Sequence, residues 1–69
     1  MLVFKVKELL ERQNMSRYKL RQYTNLSYER VNDYYFGRVK AMKTEELEEL
    51  CNVFNCNIQD IVEYKKNKK

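Results

Sequence analysis

Residues 16–37 read SRYKLRQYTNLSYERVNDYYFG. Ser16 and Ser27 each stand where polar turn residues give way to apolar residues at helical spacing. A serine there can accept from a backbone N–H that the start of a helix leaves unpaired. The spacing predicts one helix over 17–23, with Leu20 and Tyr23 inward, and another over 28–36, which Gly37 ends. In the short turn between them, Asn25 is expected to take the left-handed conformation that closes a helix, and Leu26 to plug inward.

Two short helices joined by a three-residue turn, the second entered through a serine cap, form a helix-turn-helix. Leu20, Leu26 and Val31 have to meet between the helices to hold them at a steep angle, which leaves one face of the second helix outward. Stepping 100° per residue from Val31, the buried side collects Tyr34, Tyr35 and part of Tyr28. The outer side collects Glu29, Asn32, Asp33 and Phe36, with Arg30 on the shoulder. The major groove of B-DNA, about 12 Å wide, admits such a helix. Asn32 is suited to a bidentate bond to adenine, Arg30 to guanine or a phosphate, and Phe36 or Tyr28 to a thymine methyl. Glu29 and Asp33 can accept from a cytosine amino group, but they also repel phosphates, which should weaken random sequences more than the cognate one.

Outward from this stretch, helical spacing continues. A first helix is expected over 6–13, with Val6, Leu9, Leu10 and Gln13 on one stripe. A fourth is expected over 45–54, capped by Thr44, with Leu47, Leu50, Cys51 and Phe54 inward. Glu45 and Glu46 suit the positive end of that helix. Asn57 and Asp60 have capping-box spacing for a fifth helix over 58–63 carrying Ile58, Ile61 and Val62. LVFKV near the start can add a short strand against VEY. The chain of 69 residues has no proline, one glycine, no internal repeat and no linker. It is expected to be one all-α, compact five-helix bundle over residues 1–64, followed by a basic, frayed tail over 65–69.

Charge is unevenly spread. Residues 1–43 hold ten Lys/Arg and four acids; residues 44–64 hold six acids and no base. A basic front and an acidic back suit docking on a polyanion by one face. Histidine is absent and cysteine occurs twice, at Cys51 and Cys56. A zinc site of the usual ligand set is therefore out of reach, and both thiols are expected as small buried hydrophobes in a reducing, cytoplasmic setting. No apolar run approaches the ~18 residues of a membrane span. Lys5 and Lys7 follow MLVF too closely for a signal peptide. The glutamates of EELEEL surround inward leucines and are expected on a solvated face, with no metal. Tyr18, Tyr23, Tyr34 and Tyr35 fall at core or half-buried positions, so packing rather than single-strand stacking is expected of them. The roles of nucleophile, base and oxyanion donor find no residues, so neither an enzyme nor a cofactor is expected.

The segments KELLERQNMSRYKLRQYTNLSYERVNDYYFG and TEELEELCNVFNCNIQDIVEY resemble the Cro-type helix-turn-helix regulators of bacteria and their phages. The resemblance spans about 7–64 and implies a lambda-repressor-like DNA-binding fold. It places Ser27, Tyr28, Glu29, Asn32 and Asp33 where that family reads bases. It places Arg17, and Arg38, Lys40 and Lys43 with Thr44, on phosphates; Lys19 can join that grip. Arg21 stands where the family usually has a small residue, and Asn25 replaces its turn glycine. The implied function is a sequence-specific double-stranded DNA-binding regulator of phage or prophage type. It would act as a homodimer on a pseudo-palindromic operator, with Leu2 and Phe4 as candidate dimer residues. The alternative is an interaction module, an antirepressor or antitoxin, that presents the same helix to another regulatory protein.

Overall fold

The computed structural model describes residues 1–66; the end of the basic tail, 67–69, lies outside them. Four α-helices run Val6–Arg12 (α1), Arg17–Tyr23 (α2), Tyr28–Phe36 (α3) and Thr44–Phe54 (α4). Short strands flank them at Leu2–Phe4 (β1) and Val62–Tyr64 (β2), and a single 3-10 turn covers Ile58–Asp60. The core consists of Val6, Leu9, Leu10, Leu20, Leu26, Val31, Tyr34, Leu50, Phe54 and Ile61, one or more from every helix.

The expected fifth helix is corrected to this turn and strand. The Asn57/Asp60 capping box does form, but it caps only the 3-10 turn. Three of the next four residues, Ile61, Val62 and Tyr64, favour extended backbone, and β1 supplies a partner. The strands pair antiparallel with Leu2 opposite Tyr64, Val3 opposite Glu63 and Phe4 opposite Val62. This strand pairing is the one expected for LVFKV and VEY. Phe4 then meets the Tyr34 ring edge-on, with centroids 5.9 Å apart, so the sheet braces the inner side of α3.

Three helices end alike. Asn14, Gly37 and Asn55 are left-handed, with φ of 53°, 70° and 52°. Each follows its helix with a pair of reversed backbone bonds, the Schellman motif. The pairs are Asn14 N to Glu11 O with Met15 N to Leu10 O, Gly37 N to Tyr34 O with Arg38 N to Asp33 O, and Asn55 N to Asn52 O with Cys56 N to Cys51 O. Asn25, expected to be left-handed, is not. α2 instead ends on extended Thr24, whose hydroxyl donates to Leu20 O at 3.0 Å and accepts from Leu26 N at 3.3 Å.

Other expected positions shift. Tyr18 and Tyr23 are 58% and 59% exposed, because a seven-residue helix buries one narrow stripe and Leu20 fills it. Gln13 is exposed, its amide donating to Phe54 O at 3.3 Å. Ile58 is half exposed on the 3-10 turn. Thr44 opens α4 without capping it; Lys43 holds the cap position, with no side-chain bond. Cys51 and Cys56 are half-buried free thiols rather than fully buried ones.

Candidate nucleic-acid interface

Both serine caps form. Ser16 Oγ accepts from Lys19 N and Ser27 Oγ from Arg30 N, each at 3.1 Å. α4 steadies the turn between the two helices, where Glu49 Oε1 accepts from Asn25 N at 2.6 Å. Leu26 is buried beneath that turn, and Leu20 and Val31 are fully buried to either side of it. α2 and α3 pack directly on each other. With Val31 and Tyr34 inward, Tyr28, Glu29 and Phe36 are exposed, and Asn32, Asp33 and Tyr35 are half-buried.

Arg17 and Arg38 bracket the far end of this face. The Arg17 guanidinium donates to Asn32 Oδ1 at 2.7 Å and lies 4.6 Å from the Tyr35 ring centre and 5.2 Å from that of Phe36. Arg38, just beyond α3, lies 5.0 Å from the Phe36 ring and 3.6 Å from Asp33 Oδ1. Phe36, 54% exposed, is thus flanked by two cations. An aromatic ring attracts a cation through its negative face, which positions both guanidinia without neutralising them.

Arg30 does something else. Its guanidinium turns to α4 and grips Glu46 at both oxygens, Nε to Oε2 at 3.1 Å and Nη2 to Oε1 at 2.6 Å. Nη2 also donates to Ala41 O at 2.9 Å, and the Tyr34 hydroxyl donates to Glu46 Oε1 at 2.9 Å. The group sits over the Tyr34 ring, 5.4 Å from its centre. Arg30 holds the Glu46 carboxyl below the usual range, and Glu46 raises the Arg30 pKa in return. Burial, and then the Glu46 bond, push the Tyr34 phenol up to about 12. This network ties α3 to α4 and to the connecting loop. Of the residues expected to face DNA, Arg30 is therefore engaged inward.

The structure brings Arg17, Asn32, Asp33 and Arg38 together around Phe36. Ser27 spends its oxygen on the cap. Lys19 stands apart over the Tyr23 ring, at 5.9 Å. Lys40 and Lys43 are exposed in the loop after α3, and Thr44 is exposed at the start of α4. Sequence reasoning missed Glu46 as the anchor of Arg30 and Phe36 as the centre of the arginine bracket. The one available signal for the latter was its place on the outer side of the wheel.

Among the described residues no group of three or more Cys, Asp or Glu is placed to hold a metal ion, and no helix is long and apolar enough to cross a membrane. Neither a curated protein nor a solved structure matches the chain significantly. The profile of the Cro/C1-type HTH DNA-binding domain does match, over residues 5–67. That span takes in α2, its turn and the outward α3, and also the α4 that anchors Arg30, so the chain belongs to the Cro/C1-type helix-turn-helix DNA-binding domains.

Proposed function

We propose that the protein is a sequence-specific double-stranded DNA-binding transcriptional regulator that lays α3 in the major groove. The observation that carries this reading is the division of labour around α3. One arginine is consumed in holding the helix, while Arg17 and Arg38 are held by stacking at its outer end. Base reading falls to Tyr28, Glu29, Asn32 and Asp33, and Ser27 can reach a base edge only while keeping its cap. Arg30 acts as scaffold. Arg17, Lys19, Arg38, Lys40 and Lys43 would meet phosphates, with the exposed Thr44 beside them. Asp33 lies within 3.7 Å of Arg30 and 3.6 Å of Arg38, so much of its repulsion toward phosphate is offset at source. Glu29 remains exposed and supplies the discrimination against non-cognate sequence.

A single domain of this size makes few contacts, and two copies on half-sites about one helical turn apart would double them. We assign the contact between copies to the open end of the sheet, where cross-strand neighbours Leu2 and Tyr64 are 47% and 65% exposed. Phe4 is spent on Tyr34. The setting that fits is the cytoplasm of a bacterium, with a phage or prophage regulator as the source type.

Titration of a labelled random duplex at salt concentrations between about 50 and 200 mM tests the reading. Five cations on phosphates give a log–log slope of about −4.5 per domain. Absence of binding at the lowest salt would overturn it and redirect the search to a protein partner for the Tyr28–Phe36 surface.

A further inference from the structure

The Schellman motif does more than end a helix. It brings the side chain three residues before the helix cap against the side chain two residues beyond it. Three copies of the motif occur here, and the pairs of side chains it joins are Leu10 with Met15, Asp33 with Arg38, and Cys51 with Cys56. The first pair is apolar, Leu10 buried in the core and Met15 packed against it. The second makes an ion pair at 3.6 Å, so in that copy the two side chains lie on the same side of the helix end. The third is two thiols.

From this we propose that Cys51 and Cys56 are a dithiol modification site, closing to an intramolecular disulfide when a peroxide or a small disulfide is present as oxidant. The backbone is already fixed for it. Cys56 N donates to Cys51 O at 3.1 Å, and left-handed Asn55 turns the chain back over the end of α4. Both cysteines are free and half-buried. Cys51 lines an open groove of about 550 Å³ with Leu47, Asn52 and Ile58, so a small oxidant reaches it. Burial, and the neighbouring Cys51 and Asp60, push the Cys56 thiol up. Cys51, which lines the groove, is the sulfur oxidised first, and Cys56 is the resolving one.

The chemistry balances. With peroxide, the Cys51 thiolate displaces hydroxide from the O–O bond and becomes a sulfenic acid. The Cys56 thiol then attacks that sulfur and expels water. Two thiols lose two electrons and two protons, and one peroxide becomes two waters. With a small disulfide, Cys51 forms a mixed disulfide, Cys56 displaces the small thiol, and two small thiols leave. The product ties the last turn of α4 to the segment after it.

The test uses the full chain, oxidised with hydrogen peroxide and separately with glutathione disulfide, and read by intact mass and thermal melting. The expected product is a monomer about 2 Da lighter, the loss of two hydrogens. Pre-organisation by the folded chain should shift its equilibrium at least about tenfold above that of the urea-unfolded chain, or about 30 mV. By linkage the oxidised protein should melt about 5–10 °C higher. Cys51→Ala and Cys56→Ala should each abolish the light product, and their own reduced melting curves show that they fold. Three results would overturn the proposal: separate glutathione adducts on both cysteines, disulfide-linked dimers in place of the light monomer, or a light monomer that melts below the reduced protein.

Discussion

Arg30 and Arg38 flank the same carboxylate yet lead different lives. Arg30 lies 3.7 Å from Asp33 and Arg38 lies 3.6 Å from it. The Arg30 side chain is 27% exposed and doubly bonded to Glu46, while that of Arg38 is 60% exposed and stacked on Phe36. The difference comes from what lies behind each. Arg30 sits on the shoulder of α3 that meets α4, where Glu46 and the Ala41 carbonyl together satisfy a planar guanidinium. Arg38 follows the left-handed Gly37, which swings it clear of the helix. A chain can thus hold α3 with one arginine and leave its neighbour largely in solvent. Arg30 is met by Glu46 at both oxygens, whereas Arg38, with Asp33 at 3.6 Å, keeps most of its side chain exposed.

The strongest way to break this comparison is charge reversal on the free side. Arg38→Glu combined with Lys40→Glu removes two cations from the proposed phosphate grip and adds two repulsions. Affinity for duplex DNA near 100 mM salt should fall about 10²- to 10³-fold, with a salt slope shallower by about 2. Stability should move by no more than about 0.5 kcal/mol, because both side chains are exposed. Anisotropy titration alongside urea denaturation checks both halves.

Glu46→Ala strikes the held side. It leaves Arg30 and the buried Tyr34 hydroxyl without their shared acceptor, which costs about 3 kcal/mol and lowers Tm by about 10–20 °C. DNA affinity measured well below the new Tm should change far less than stability. A large loss of affinity at unchanged Tm would mean instead that Arg30 itself reaches DNA.

Why was one arginine legible and the other not? The helix-turn-helix was readable because its determinants are local: serine caps three residues from the N–H groups they accept from, and Leu20, Leu26 and Val31 within twelve positions. Arg38 and Lys40 were readable as exposed cations because a glycine precedes them. The Arg30–Glu46 pair spans sixteen residues and a loop, and Glu46 on its own reads as an acid suited to a helix N-terminus. Distance also explains why a fifth helix was expected over 58–63. Residues 58–63 carry apolar positions that suit either a helix or a strand over so short a run, and the deciding partner lies at the other end of the chain. Asn25 failed as the left-handed residue because Thr24 and Glu49 had already taken over the polar groups of that turn.

Titration sharpens the same comparison from within. Glu46 has its carboxyl pKa depressed on folding, so its contribution is present above the unfolded value of about 4.3 and is lost as pH falls through the folded one. Tyr34 is raised to about 12, so its contribution is present below the unfolded value of about 10 and is lost as pH rises from there to about 12. The wild-type protein should lose about 2 kcal/mol across that alkaline window. Tyr34→Phe should cost about 1–1.5 kcal/mol at neutral pH and flatten the alkaline decline. Urea midpoints at pH 7, 10 and 11.5, rough settings chosen around those values, separate the outcomes. An unchanged decline in Tyr34→Phe would show that the Tyr34 phenol is not its source.

The smallest effect bears on why a helix proposed to meet DNA carries Asp33 at all. Its ion pairs are long and its side chain is 27% exposed, so Asp33→Asn should change stability by no more than about 0.5 kcal/mol. The amide keeps the shape and removes the charge, which frees Arg38 from a carboxylate and lowers repulsion toward every phosphate nearby. Binding to random duplex should therefore tighten several-fold, by about 1 kcal/mol. Binding to the cognate operator should gain less if the carboxylate there meets a cytosine amino group, as proposed. A ratio of cognate to random affinity that shrinks in Asp33→Asn makes the acid a specificity device. If both affinities rise equally, Asp33 only tempers the charge of Arg38, and the discrimination lies with the exposed Glu29.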